Sequence, residues 1–137
     1  MLPETVTRLL VSVVVIGCGL VLYWMVNRIQ LKRAGVKLHG LDSIRPGSPA
    51  ILYFTTPTCV PCRTVQRPAI LSLKEQLGED LQVVEIDASV HPELADEWGI
   101  LTVPTTFLID ASGQPRRVNQ GVASKEKLFQ QLKEIIR

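Results

Sequence analysis

The stretch Ile51–Cys62, ILYFTTPTCVPC, decides how this chain folds. Ile51 to Thr55 is an apolar, partly β-branched run of the kind that forms a buried strand. Thr56-Pro57-Thr58 breaks it, and two cysteines follow in C-x-x-C spacing at Cys59 and Cys62. From Cys62 to Leu77 the pattern predicts a helix, with Val65, Ala69, Leu73 and Leu77 along one face and Gly78 as its stop. A strand that turns into a helix through C-x-x-C places Cys59 at the helix N-terminus. There, unpaired N–H groups and the positive end of the helix dipole favour a thiolate, the nucleophilic form of cysteine. Cys62, one turn further in, is placed to attack a mixed disulfide formed at Cys59. Pro61 sits within the first turn, where its missing N–H costs little.

Outward from this segment, strand and helix signals alternate. Leu81–Asp87 is a second strand, and His91–Trp98 a short helix with Pro92 in its first turn. Thr105–Ile109 is a third strand. Asp110-Ala-Ser-Gly113 is a hairpin turn into a fourth strand near Arg116–Gln120. Ser124 is the expected N-cap of a last helix whose apolar stripe is Leu128, Leu132 and Ile135. The order β-α-β-α-β-β-α implies parallel early strands joined by crossover helices, a final hairpin, and a mixed sheet flanked by helices.

The totals bound what else the chain can be. Its 137 residues suffice for one compact domain, and the net charge of +2 gives no argument for a nucleic-acid partner. Three cysteines are too few for a disulfide-stapled scaffold, and an odd count fits one working pair plus Cys18. A zinc site at the C-x-x-C would need two further ligands, with only His39, His91 and Cys18 on offer. His39 reads as a solvated linker residue. A static disulfide closing so short a loop would gain little unfolded-state entropy. A copper carrier would lack accompanying methionine or histidine ligands. No metal site is therefore expected, and no cofactor beyond the Cys59/Cys62 redox pair.

Three motifs stand in order along the chain: ILYFTTPTCVPC, then WGILTVPTTFLID at Trp98–Asp110, then NQGVASKEKL at Asn119–Leu128. With them, Ala50–Arg137 resembles a thioredoxin domain. The resemblance implies a thioredoxin fold and thiol–disulfide oxidoreductase activity. It also implies protein disulfides as substrates and a thiol reductant upstream. It makes Cys59 the nucleophile and Cys62 the resolving cysteine. It gives Pro104 a cis peptide after Val103, opposite the cysteines. It has the Val103 backbone pair with an extended substrate as an added strand, and it makes Gly121 the point where substrate backbone approaches.

The departures from the family pattern are specific. Thr58 replaces the usual tryptophan before the first cysteine. Tyr53 stands where the family keeps a buried aspartate that helps deprotonate the resolving cysteine, and Val83 replaces the lysine partner of that aspartate. Glu85 shares a strand face with Val83 and is a possible substitute for that carboxylate. Pro68 comes six residues after Cys62, one later than usual, so a kink is expected near it. Between the cysteines, Val60-Pro61 lacks the histidine often found in strong oxidants of this fold, and a less stabilised thiolate makes a more reducing pair.

Ahead of the domain, Leu9 to Val26 is 18 residues without a charge. At about 1.5 Å per residue it nearly crosses a hydrocarbon core of roughly 30 Å. Ile29 and Leu31 extend it, and Tyr23 and Trp24 suit the headgroup level. The expected organisation is a tail at 1–8, a membrane helix at 9–31, a linker at 32–49 and the domain at 50–137. Arg28, Lys32, Arg33 and Lys37 outweigh Arg8, so the positive-inside rule favours a cytoplasmic domain; an uncleaved anchor with the domain outside is the alternative. Val15-Ile16-Gly17-Cys18 also resembles a lipobox, although the sequence stays apolar through Val26. Three functions follow: a membrane-anchored disulfide reductase, an extracytoplasmic thioredoxin for cytochrome or metalloprotein assembly, and a metal-carrier or scaffold module. The second resembles envelope thioredoxins that carry an extra strand-helix insert before the cis-proline, for which there is no room here.

Overall fold

A computed structural model describes residues 3–36 and 43–137 of the chain. His39 and the rest of residues 37–42, part of the expected linker, lie outside the described residues. The elements are α1 (Glu4–Val36), β1 (Ala50–Thr55), a π-helical turn (Cys62–Gln66), α2 (Arg67–Leu77), β2 (Gln82–Asp87), α3 (Pro92–Glu97), β3 (Thr105–Ile109), β4 (Pro115–Gln120) and α4 (Lys125–Ile136). The strands form one sheet in the order β2-β1-β3-β4. β1 and β2 are parallel, and the other pairs are antiparallel.

All six residues of β1 are buried. A strand covered on both faces reads as a continuous apolar run, as Ile51–Phe54 does. Alternation then assigns its side chains to two cores. Ala50, Leu52 and Phe54 join Ile86, Trp98 and Phe107 on the face covered by α3. Ile51 and Tyr53 join Ile70, Leu73, Leu108, Leu128 and Leu132 on the face covered by α2 and α4. Phe54, Trp98 and Phe107 form an aromatic group with ring centroids 4.9 to 6.2 Å apart. Burial of each phenylalanine is worth about 1.5–3 kcal/mol.

The helix after the cysteines departs from the expected single α-helix. Residues Cys62–Gln66 form a π turn, and the Arg67 N–H reaches back to the Cys62 carbonyl. Pro68 explains this: its ring would clash with a carbonyl one α-turn earlier, and it has no N–H to continue the ladder. Widening the turn absorbs the extra residue between Cys62 and Pro68. The phase of the helix changes with it. Val65, expected on the buried stripe, is exposed, while Gln66 is fully buried beside Ile70 and Leu73.

Other terminators are as the sequence suggests. Gly78 ends α2 at φ +59°, a conformation that glycine adopts without strain. Ser124 caps α4, its hydroxyl accepting from the Lys127 N–H at 3.2 Å. Candidate membrane helix α1 is long and apolar enough over Glu4–Ile29 to cross a bilayer, and none of that length is buried in the protein.

The hairpin turn is organised by Asp110, whose carboxylate accepts from the N–H groups of Ser112 and Gln114 and from the Ser112 hydroxyl, and pairs with Arg116. Partial burial opposes its ionisation, but the Ser112, Gln114 and Arg116 bonds outweigh burial and bring its pKa down to about 2. With the folded value below the unfolded one, the stabilisation is complete above the unfolded pKa and is lost as pH falls through the folded one. Urea titrations should show wild-type stability falling by on the order of 1–2 kcal/mol between about pH 4 and pH 2 from this group, and Asp110→Asn should remove that component of the acid dependence.

Candidate active site

β1 ends at Thr55, and the chain turns through Thr56–Thr58 into a helix that starts at Val60. The Cys59 N–H donates to the Thr56 carbonyl at 3.2 Å, which closes the turn. Cys59 and Cys62 are joined by a disulfide, with their Cα atoms 5.3 Å apart. The two sulfurs differ in surroundings. Cys59 is half-buried and Cys62 is buried. The Cys62 N–H, one of the free donors of the helix start, points at Cys59 Sγ at 3.3 Å. A donor so placed stabilises negative charge on Cys59 when the pair is reduced. Pro61 precedes the π turn in helical conformation, at φ −63°.

The Val103–Pro104 peptide bond is cis, as the resemblance implied. Pro104 is buried and Val103 half-buried at the start of β3. The Gly121 N–H donates to the Pro104 carbonyl at 2.8 Å, which joins the cis-proline loop to the loop before α4. Gly121 has φ +84°, and a Cβ there would meet no protein atom within 4 Å. Backbone conformation therefore demands the glycine, and the space before it is open.

Tyr53 and Glu85 are brought together. They are register partners on β1 and β2. The Tyr53 hydroxyl accepts from Arg67 Nε at 3.2 Å, and the Arg67 guanidinium pairs with the Glu85 carboxylate. Burial pushes the Tyr53 phenol up to about 12, with Arg67 opposing and Glu85 adding to the rise. The position that the family pattern gives to a buried carboxylate thus holds a neutral hydroxyl. Register extends the row across the sheet, through Thr106 on β3 to Asn119 on β4. Asn119 exchanges two hydrogen bonds with Gln131 of α4. The Thr106 hydroxyl is buried, and among the described residues it has no partner.

Gln66 and Arg67 carry polar contacts that the sequence pattern does not signal. Both sit in the active-site helix, whose phase differs from the one its apolar spacing predicts. A signal was present in the late Pro68, which requires a widened turn. Among the described residues no group of three metal-ligating side chains comes together. Cys18 is exposed on α1.

The thioredoxin family profile matches residues 42–134, which include every part of this site. Thioredoxin of Bacillus subtilis is 31% identical over 75 residues, covering 55% of this chain and 70% of that protein. A bifunctional thioredoxin reductase/thioredoxin of Mycobacterium leprae is 25% identical over 119 residues; the match covers 82% of this chain but spans only 26% of that longer protein. Among solved structures, a thioredoxin-2 described as a component of malaria parasite protein secretion machinery superposes with a TM-score of 0.63 at 18% identity. That match covers 69% of this chain and 90% of the other. The chain belongs to the thioredoxin family, and its chemistry is that of a thiol–disulfide oxidoreductase. Protein disulfides as substrates, and a thiol reductant to regenerate the pair, come with that membership.

Tyr53 should be felt in stability. Tyr53→Phe removes the acceptor of Arg67 Nε and should cost about 1 kcal/mol, read as a lower urea midpoint at unchanged slope.

Proposed function

We propose that this chain is a membrane-anchored disulfide reductase acting on protein substrates. The supporting observation is the asymmetry of the cysteine pair: Cys59 is accessible with the Cys62 N–H aimed at its sulfur, while Cys62 is buried behind it. The Cys59 thiolate attacks a substrate disulfide, forming a mixed disulfide and releasing one substrate thiol. The Cys62 thiolate then attacks Cys59 Sγ, which restores the Cys59–Cys62 disulfide and releases the second thiol. Two electrons pass to the substrate, and an external dithiol supplies the next two. Val60-Pro61 adds no charge or side-chain donor that would stabilise the reduced form, which supports the reducing direction.

The surroundings suit a polypeptide. Val60, Leu101 and Val122 are exposed on the cysteine turn, the cis-proline loop and the Gly121 loop. Val103 at the start of β3 offers backbone for an added strand. Cys59 and Cys62 carry the exchange, and Val103, Pro104 and Gly121 hold the substrate. The redox disulfide is the whole cofactor. Anchoring rests on α1, and orientation on the cationic excess of Arg28, Lys32, Arg33 and Lys37 behind it, which favours a cytoplasmic domain.

Three measurements test this. The full-length protein should reduce insulin with dithiol as donor, and Cys59→Ser should abolish the activity while Cys62→Ser accumulates a mixed disulfide. The pair's potential should lie near or below about −200 mV; a value near the strong oxidants, about −120 mV, overturns the reductase assignment. With the native cysteines replaced, Ser43→Cys should resist a membrane-impermeant thiol reagent in intact cells and react after lysis. Labelling in intact cells places the domain outside and turns the function toward extracytoplasmic assembly.

A further inference from the structure

Gln66 is fully buried, yet both ends of its amide are used. Its Oε1 accepts from the Ala123 N–H at 2.8 Å, and its Nε2 donates to the Ala123 carbonyl at 3.2 Å. A buried amide is costly unless paired, and here two convergent bonds fix the orientation of one peptide segment of the partner. The two residues are 57 apart in sequence.

The position of each end gives the contact its meaning. Gln66 closes the π turn that Cys62 opens, and the next residue, Arg67, donates its N–H to the Cys62 carbonyl. Ala123 is buried two residues beyond Gly121, whose own N–H holds the Pro104 carbonyl. A continuous path of hydrogen bonds and short covalent segments therefore runs from Cys62 through Gln66 and Ala123 to Gly121 and Pro104. In an unwidened turn the helix phase would differ by one residue, and Gln66 would leave this buried position.

We propose that Gln66 is a positioning residue that sets the Gly121 loop against the cysteine pair, and so determines how well an extended polypeptide disulfide is held for attack. The inference rests on the reading above, in which Val103 and Gly121 hold the substrate backbone. A small disulfide that touches only Cys59 does not use this alignment; a peptide that spans both loops does. Loss of the clamp should then raise KM for peptides and leave the sulfur chemistry intact.

The test compares two disulfides on the full-length protein in detergent, with the same dithiol donor and the uncatalysed rate subtracted: a synthetic disulfide-linked peptide pair and the small aliphatic disulfide cystine. Gln66→Met keeps the side-chain volume and removes both bonds. It should raise peptide KM about tenfold, the size expected for a lost pair of buried bonds, with peptide kcat and the cystine rate within about twofold. Gln66→Glu serves as the conservative rescue. At about pH 6 a buried carboxylic acid stays protonated and can both accept and donate as the amide does, and at about pH 9 it ionises and cannot donate. Its peptide-to-small-disulfide ratio should match wild type at the lower pH and fall at the higher one, and it remains informative if Gln66→Met fails to fold. Val122→Asp, an exposed change beside Gly121, tests the underlying reading. If Val122→Asp raises peptide KM while Gln66→Met, and Gln66→Glu at about pH 9, leave it unchanged, the loop holds substrate and the role of Gln66 is overturned. If no variant alters peptide KM, the loop assignment and the clamp fall together. Equal slowing of both disulfides in the Gln66 variants overturns the positioning role in favour of an effect on the cysteines.

Discussion

The site depends on the burial of β1 on both faces. Because Ala50–Thr55 is buried between two cores, its last residue is fixed in space, and the turn that follows must deliver Cys59 beyond the C-terminal end of this interior strand. The helix that starts there contributes its free N–H groups, one of which meets Cys59 Sγ. The donor at Cys59 Sγ is thus a consequence of chain geometry: a strand end fixed by packing and a helix start that has donors to spare. The partner loops are fixed by the same sheet, since β3 pairs with β1 directly and carries Pro104 at its start.

Within that frame the chain departs from the family pattern in the polar groups its central strands carry. The row Glu85–Tyr53–Thr106–Asn119 crosses all four strands on the face that α2 and α4 cover. Tyr53, at its centre, stays neutral because burial disfavours the phenolate. Glu85 has its charge matched by Arg67 at the protein surface. Where the resemblance implies a buried carboxylate, position 53 thus holds a hydroxyl with two charged neighbours of opposite sign. Proton release from Cys62 in this protein therefore has no carboxylate at position 53 to receive it.

Arg67 and Gln66 show how one added residue changes a helix. Gln66, the last residue of the π turn, points into the core against Ala123, and Arg67, the next residue, toward Tyr53 and Glu85. Each ties the active-site helix to another element, the first to the loop before α4 and the second to β1 and β2.

The strand, the cysteine spacing, the cis-proline motif and the order of elements were all legible in the sequence, because each is local: an apolar run, a breaker, a cap or a fixed pair of residues. Ile51–Thr55, Gly78, Ser124 and Cys59–Cys62 declare themselves in this way. The apolar stripe of the active-site helix was not fully legible: Gln66 is buried and Val65, expected on the stripe, is exposed, because helix phase there is set by how Pro68 is accommodated. The bonding of Tyr53, Arg67 and Glu85 and the Gln66–Ala123 contact join residues 14 to 57 positions apart. The sequence by itself determined the redox pair, the family and the order of strands and helices. The tertiary structure decided which polar groups bond to one another around the active-site helix, because only the packing of α2 and α4 on the sheet brings them within bonding distance.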